Sequence, residues 1–123
     1  KEVEVILFAM IEKREIQDSI ESLADAIRLM KTKPKLIFTE VKNGRKPSVR
    51  ADLLREMLHS HDPDIISPKC IVDSNEAFLE GVMTARHVHG NLLVIGSIYL
   101  IGEIMSEIIS SRGLDAIDTM TIH

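Results

Sequence analysis

The stretch that decides the fold is 91-NLLVIGSIYLIGEIMSEI-108. Leu92, Leu93, Val94 and Ile95 run without interruption into Gly96 and Ser97, after which apolar residues recur every three or four positions. A short continuous apolar run reads as a strand covered on both faces, and the switch to a helical period marks an amphipathic helix. Ile98, Ile101, Ile104, Met105, Ile108 and Ile109 form the stripe of that helix, and Glu103, Ser106 and Glu107 interrupt it on one side only.

Working outward, the same alternation of strand and helix recurs. "VEVILF" (3–8) is a buried strand, and Ile16, Ile20, Leu23, Ala24, Ile27 and Met30 predict a helix that Pro34 forbids from continuing. "KLIFTE" (35–40) is a second strand and "VKNGRKP" after it a loop, since Asn-Gly and Pro are turn chemistry. Ser48 stands where an N-cap belongs, ahead of the stripe Val49, Leu53, Leu54, Met57 and Leu58, and the "HDPD" run breaks that helix. Ile65-Ile66 and Cys70-Ile71-Val72 flank an "SPK" turn, and at least one of them supplies a third strand. Asp73 and Glu76 have capping-box spacing, with Ser74 competing for the cap, before a helix over about 75–88. Gly90 is available for the left-handed conformation that ends that helix, and Gly113-Leu114 predicts the stop of the last one. "AIDTMTI" near the end alternates as an edge strand does.

Strands alternating with helices predict an α/β fold: a Rossmann-like, mostly parallel sheet with helices on both faces, right-handed connections and an antiparallel edge strand. At 123 residues the chain suits a single domain, 1–123. It starts at Lys1 with a strand two residues later, as expected of a piece excised from something longer. Apolar runs stop at four or five residues, short of the ~20 that a bilayer requires, so no membrane partner is expected. A net charge of −4 with interspersed signs and a scarcity of aromatic rings argue against a nucleic-acid partner. A single cysteine, Cys70, makes no internal disulfide and fits a reducing, cytoplasmic setting.

In sheets of this kind ligands sit off the carboxyl ends of the strands, which is where Gly96-Ser97 falls. A helix N-terminus there offers free amides and about half a positive charge to an anion. Gly96 lets a ligand approach the backbone, and the Ser97 hydroxyl either donates to an anion or caps its own helix. The segment is neither a dinucleotide fingerprint, for want of the further glycines, nor a phosphate loop, for want of a Lys-Ser/Thr pair.

"LLVIGSIYLIGEI" (92–104) closely resembles the last strand-to-helix corner of folylpolyglutamate synthases and dihydrofolate synthases, where apolar strand, Gly-Ser, Tyr-Leu and Gly-Glu recur at this spacing. "VILFAMIEKREI" (5–16) resembles the family's strand with its Phe-Gly-Ala-Leu-like stretch and Lys-Asp run, although Ala9-Met10 and Glu12-Lys13 replace Gly-Ala and Lys-Asp. "FTEVKNGRKPS" (38–48) resembles its Thr-plus-Asn-x-Arg loop, and "VDSNEAF" (72–78) its acidic helix opening. The resemblance covers nearly the whole chain.

It implies the C-terminal domain of a Mur ligase superfamily enzyme, closing over a separate N-terminal ATPase domain. In that family ATP phosphorylates a folate or dihydropteroate carboxylate, and the amine of glutamate attacks the acyl phosphate. ATP and Mg²⁺ are held mainly by the N-terminal domain, whose phosphate loop and magnesium ligands this sequence lacks. No catalytic residue is therefore expected in this chain, and alone it is expected to be inactive. The resemblance implies substrate-binding roles for Gly96, for Ser97 toward glutamate, and for Arg45 toward a carboxylate or phosphate. The alternatives are the equivalent domain of a cell-wall Mur ligase and a non-catalytic α/β interaction module; a phosphate receiver is excluded by the missing acidic pocket in "FAMIE" and "FTEVK".

The His59/His61 and His87/His89 pairs do not suit a metal, since helical residues two apart diverge and no ligand cluster surrounds them. Tyr99 and Cys70 read as core residues.

Overall fold

A computed structural model describes residues 2–109 and the backbone of 120–122. The elements are β1 (Val3–Ala9), α1 (Ile16–Leu29), β2 (Lys35–Phe38), α2 (Ala51–His61), β3 (Lys69–Cys70), α3 (Ser74–His87), β4 (Asn91–Gly96), α4 (Ile98–Glu107) and β5 (Met120–Ile122). The strands form one sheet in the order β3-β2-β1-β4-β5, and every strand pairing is parallel. The fold is thus α/β and Rossmann-like.

The edge expected to be antiparallel is parallel: Leu92, Leu93 and Val94 pair with Met120, Thr121 and Ile122. A strand that follows a helical crossover from its neighbour runs in the same direction, whereas a tight hairpin would have reversed it.

β1 is central, and its successive side chains serve two cores. Val5, Leu7 and Ala9 join Ile37, Leu92 and Val94 beneath α3 and α4, with Ala77, Phe78, Leu100 and Ile104 opposite them. Ile6, Phe8 and Met10 join Leu36 and Phe38 beneath α1 and α2, with Ile20, Leu23, Ile27, Leu54 and Leu58 opposite. The rings of Phe8 and Phe38, paired across β1 and β2, lie 5.4 Å apart and tilted. Residues packed this way leave cavities when truncated, so Leu7→Ala costs about 2–5 kcal/mol.

Long-range contacts shape the helix ends. α1 ends in a cage of carbonyls, those of Ile27, Arg28 and Met30, that all accept from Lys33 Nζ, a cation placed where the helix dipole favours one. Arg28 Nε donates to Asp62 Oδ2 at 2.6 Å, tying α1 to the residue that ends α2. This bond holds the nearly buried Asp62 carboxyl below its usual range.

Two local expectations change, and the open choice of third strand is resolved. α2 begins at Ala51 without a side-chain cap of its own; the Ala51 amide donates to Glu40 Oε2 at 3.0 Å, and Ser48 works elsewhere. The third strand is Lys69–Cys70 alone, and Ile65-Ile66 lies outside it. The left-handed residue after α3 is His89 (φ 55°), with the Gly90 amide donating to Ala85 O at 2.9 Å. Gly90 is needed for space, because a Cβ there would lie 2.1 Å from Glu4 Cγ. The expected Gly113 stop lies outside the described residues. Among them, no helix is long and apolar enough to cross a membrane.

Gly96 is required twice over. Its φ is +106°, and a Cβ would fall 2.2 Å from the Ala9 carbonyl oxygen of the paired strand. Gly96→Ala is expected to lower unfolding free energy by at least about 2 kcal/mol, read from denaturant midpoints at constant m-value.

Candidate functional site

The strand order reverses between β1 and β4, since α1 and α2 cover one face and α3 and α4 the other. This switch point is where an open α/β sheet offers a crevice off its carboxyl edge. Gly96-Ser97 lies at it, on β4's side, and Ala9-Met10 on β1's.

Ser97 is the N-cap of α4. Its Oγ accepts from the Tyr99 amide at 3.1 Å, its carbonyl accepts from Leu100 N at 3.1 Å, and its own amide donates to Ala9 O at 2.9 Å. The corner's backbone donors are therefore largely committed within the chain. What the side chain retains is its hydroxyl proton, because the bond to Tyr99 uses the oxygen only as an acceptor. Ser97 is 7% exposed, so that proton is offered through a narrow opening, whereas Gly96 beside it is exposed.

The β2–α2 loop folds over the same corner. The Ser48 hydroxyl, expected as a helix cap, accepts instead from Val41 N at 2.9 Å and donates to Met10 O at 3.3 Å. Ile11 and Ser48 form an antiparallel bridge, and Glu12 N donates to Pro47 O at 2.9 Å. The other end of the loop lies against α4: a Cβ on Gly44 would sit 3.0 Å from Ile11 Cγ2 and 3.5 Å from the Tyr99 ring. Arg45, the next residue, is exposed, and no hydrogen bond or ion pair joins it to another described residue. Gly96 and Ser97 thus form the corner, and Arg45 follows the glycine that packs against Tyr99 in the first turn of the same helix, with no hydrogen bond joining Arg45 to the other two.

Beside this corner lies a groove of about 820 Å³ whose walls include Lys42, Asn43, Ser74, Asn75, Tyr99 and Glu103. Sequence reading placed Glu103 among the residues interrupting the α4 stripe. In the structure its Oε2 accepts from the amides of Lys42 and Asn43 at 2.8 and 2.9 Å, and its Oε1 from the Ser74 hydroxyl at 2.8 Å. No local signal marked it, since α4 also carries Ser106 and Glu107 and the partners of Glu103 lie 29 to 61 residues away.

Lys42 Nζ pairs with Asp73, the N-cap of α3, whose carboxylate also accepts from Glu76 N at 2.9 Å. The expected capping role of Asp73 is met. The Lys42 bond and the Glu76 amide hold the Asp73 carboxyl below its usual value, and Asp73 in turn raises Lys42.

Thr39, in the motif "FTEVKNGRKPS", is fully buried: its amide donates to Phe8 O at 2.9 Å and its hydroxyl to Val72 O at 3.1 Å, so it seals the strand ends. Tyr99 is half-buried against the core, as expected, and Cys70 packs at the edge of the other core with its thiol pushed up by burial. Among the described residues no group of three or more His, Cys, Asp or Glu side chains could hold a metal ion.

Compared with known proteins, the chain matches no family model, no curated protein and no solved structure.

The Lys42–Asp73 pair carries a pH signature. A carboxyl with a depressed folded pKa contributes stability that is present above its unfolded value of about 3.9 and is lost as pH falls through the lower folded value. Asp73→Asn keeps a good capping acceptor and removes the charge. It is expected to be less stable than the parent at neutral pH, with the difference closing in acid, as read from thermal melts across a pH series.

Proposed function

We propose that this chain is the C-terminal domain of a cytoplasmic ATP-dependent ligase that joins glutamate to a folate or dihydropteroate carboxylate through an acyl phosphate. The observation that carries this reading is the position of the run Gly96-Ser97-Ile98-Tyr99-Leu100-Ile101-Gly102-Glu103. It forms the strand-to-helix corner at the switch point of a Rossmann-like sheet, the place where such a sheet receives ligands. The likeness of that run to the corresponding corner of folylpolyglutamate and dihydrofolate synthases supports the choice of substrates.

In this reading the chain's own task is to bind and orient. Arg45 is an exposed guanidinium with no partner among the described residues, and its fork of donors suits a carboxylate or phosphate. Ser97 offers one hydroxyl proton beside a glycine that leaves the backbone approachable. Holding the glutamate carboxylates here would aim its neutral amine at the acyl phosphate carbon. The amine forms the C–N bond as the C–O bond to phosphate breaks; the departing phosphate takes the electron pair, and the nitrogen gives up one proton, which the phosphate takes. Mg²⁺ and ATP belong mainly to the N-terminal ATPase domain in this reading, as the resemblance implies.

The test uses the full-length protein, ATP, labelled glutamate, and dihydropteroate or folate, with the amide product measured. Arg45→Gln is expected to raise the KM for glutamate roughly 10- to 100-fold, the range of one lost charge-assisted bond, with Tm unchanged. Ser97→Gly removes the hydroxyl at a cost of only a few tenths of a kcal/mol to the cap. A raised KM with little change in Tm therefore separates a ligand role from a capping role. Absence of any ATP-dependent amide from a folded full-length protein would favour the interaction-module reading, and turnover of a cell-wall precursor alone would favour the other Mur ligases.

A further inference from the structure

Glu103 departs from what a solvated face of α4 would hold. Its two oxygens meet three donors from two other parts of the chain, 60 and 61 residues away in the β2–α2 loop and 29 residues away at the start of α3. The amides of Lys42 and Asn43 are consecutive and converge on one carboxylate oxygen, a small backbone nest of the kind that binds anions. The nest is filled by the protein's own acid. On the far side of Arg45 the loop is anchored by Ser48, which links Val41 to Met10, and by the Glu12–Pro47 bond. Between these two anchors the loop exposes Arg45 and Lys46.

We propose that Glu103 is a positioning residue: by clamping the amides of Lys42 and Asn43 it fixes the loop whose next charged residue, Arg45, receives the carboxylate substrate over the Gly96-Ser97 corner. This rests on the ligase reading above. Two features of the geometry favour it. The clamp joins α4, which begins at Ser97, directly to the loop that carries Arg45, so both proposed substrate contacts are referred to one helix. Ser74 adds α3 to the same carboxylate, and Lys42 returns the link through Asp73 at the α3 N-terminus, closing a ring of contacts around the loop. A cation held in this way loses less conformational freedom on binding than one on a free loop.

The test compares Glu103→Ala, Glu103→Gln, Arg45→Gln and the Glu103→Ala/Arg45→Gln double variant in the full-length protein. The readouts are amide hydrogen exchange at Lys42 and Asn43, and KM and kcat with glutamate as the varied substrate. Glu103→Ala is expected to speed exchange at both amides and to raise KM by about as much as Arg45→Gln, roughly tenfold or more, with kcat affected less. The double variant is expected to be no worse than the poorer single one, because both act through one contact. Glu103→Gln keeps the length and an acceptor oxygen, and is expected to restore part of the loss.

Faster exchange with unchanged KM would overturn the positioning role, as would KM effects that add in the double variant. A lower KM in Glu103→Ala would also overturn it, by showing a carboxylate site that Glu103 masks. If Arg45→Gln alone leaves KM unchanged, the underlying assignment of Arg45 has failed, which the exchange data at Lys42 and Asn43 distinguish from a failure of the clamp.

Discussion

The structure depends on a strand that has no wet face. β1 pairs with β2 on one edge and β4 on the other, and Val5 through Met10 are each at most 4% exposed. Its odd and even positions feed separate cores, so each side chain must be apolar and the helical layers must lie on opposite sides. Parallel neighbours can be reached only by crossovers, and right-handed crossovers that start toward opposite edges pass over opposite faces. The opening between β1 and β4 follows from that division. The rim chemistry is a consequence of where the buried strand sits.

The same constraint explains what could be read from the sequence. Continuous apolar runs at Val5–Phe8 and Leu92–Ile95 and helical stripes such as Ile20, Leu23, Ala24 and Ile27 are local patterns, and they located the main strands and helices. The two residues of β3 are too few to make a pattern, and the direction of β5 depends on its partner. Ser48 looked like a cap because caps are read from the residues that follow, whereas its partners are Val41 at the start of its own loop and Met10 just past β1. At the end of α3 the left-handed position falls to His89, and Gly90 instead leaves room for Glu4 of the adjoining strand, a neighbour remote in sequence.

The candidate site divides in the same way. Gly96 and Ser97 were legible because a glycine and a serine between two periods announce a corner. Glu103 was not, because its function as an acceptor for three donors is assembled from residues remote in sequence. An acid on a helix reads as solvated unless its tertiary partners are known, and no local spacing encodes them.

Taken together, the rim is a surface that has already answered most of its own hydrogen-bonding demands. The Ser97 amide is satisfied by Ala9, the Tyr99 amide by Ser97, and the nest of Lys42 and Asn43 by Glu103. Backbone groups buried without partners would cost about 1–3 kcal/mol each, so the corner gains by satisfying them internally. Polar capacity is then left at few places, the Arg45 guanidinium and the Ser97 proton among them. Satisfied amides have no spare proton to offer, so what this corner can still donate lies in side chains, which can change without unfolding it. The loop is ordered at folding by Glu103 and Ser48, whose partners belong to the chain itself.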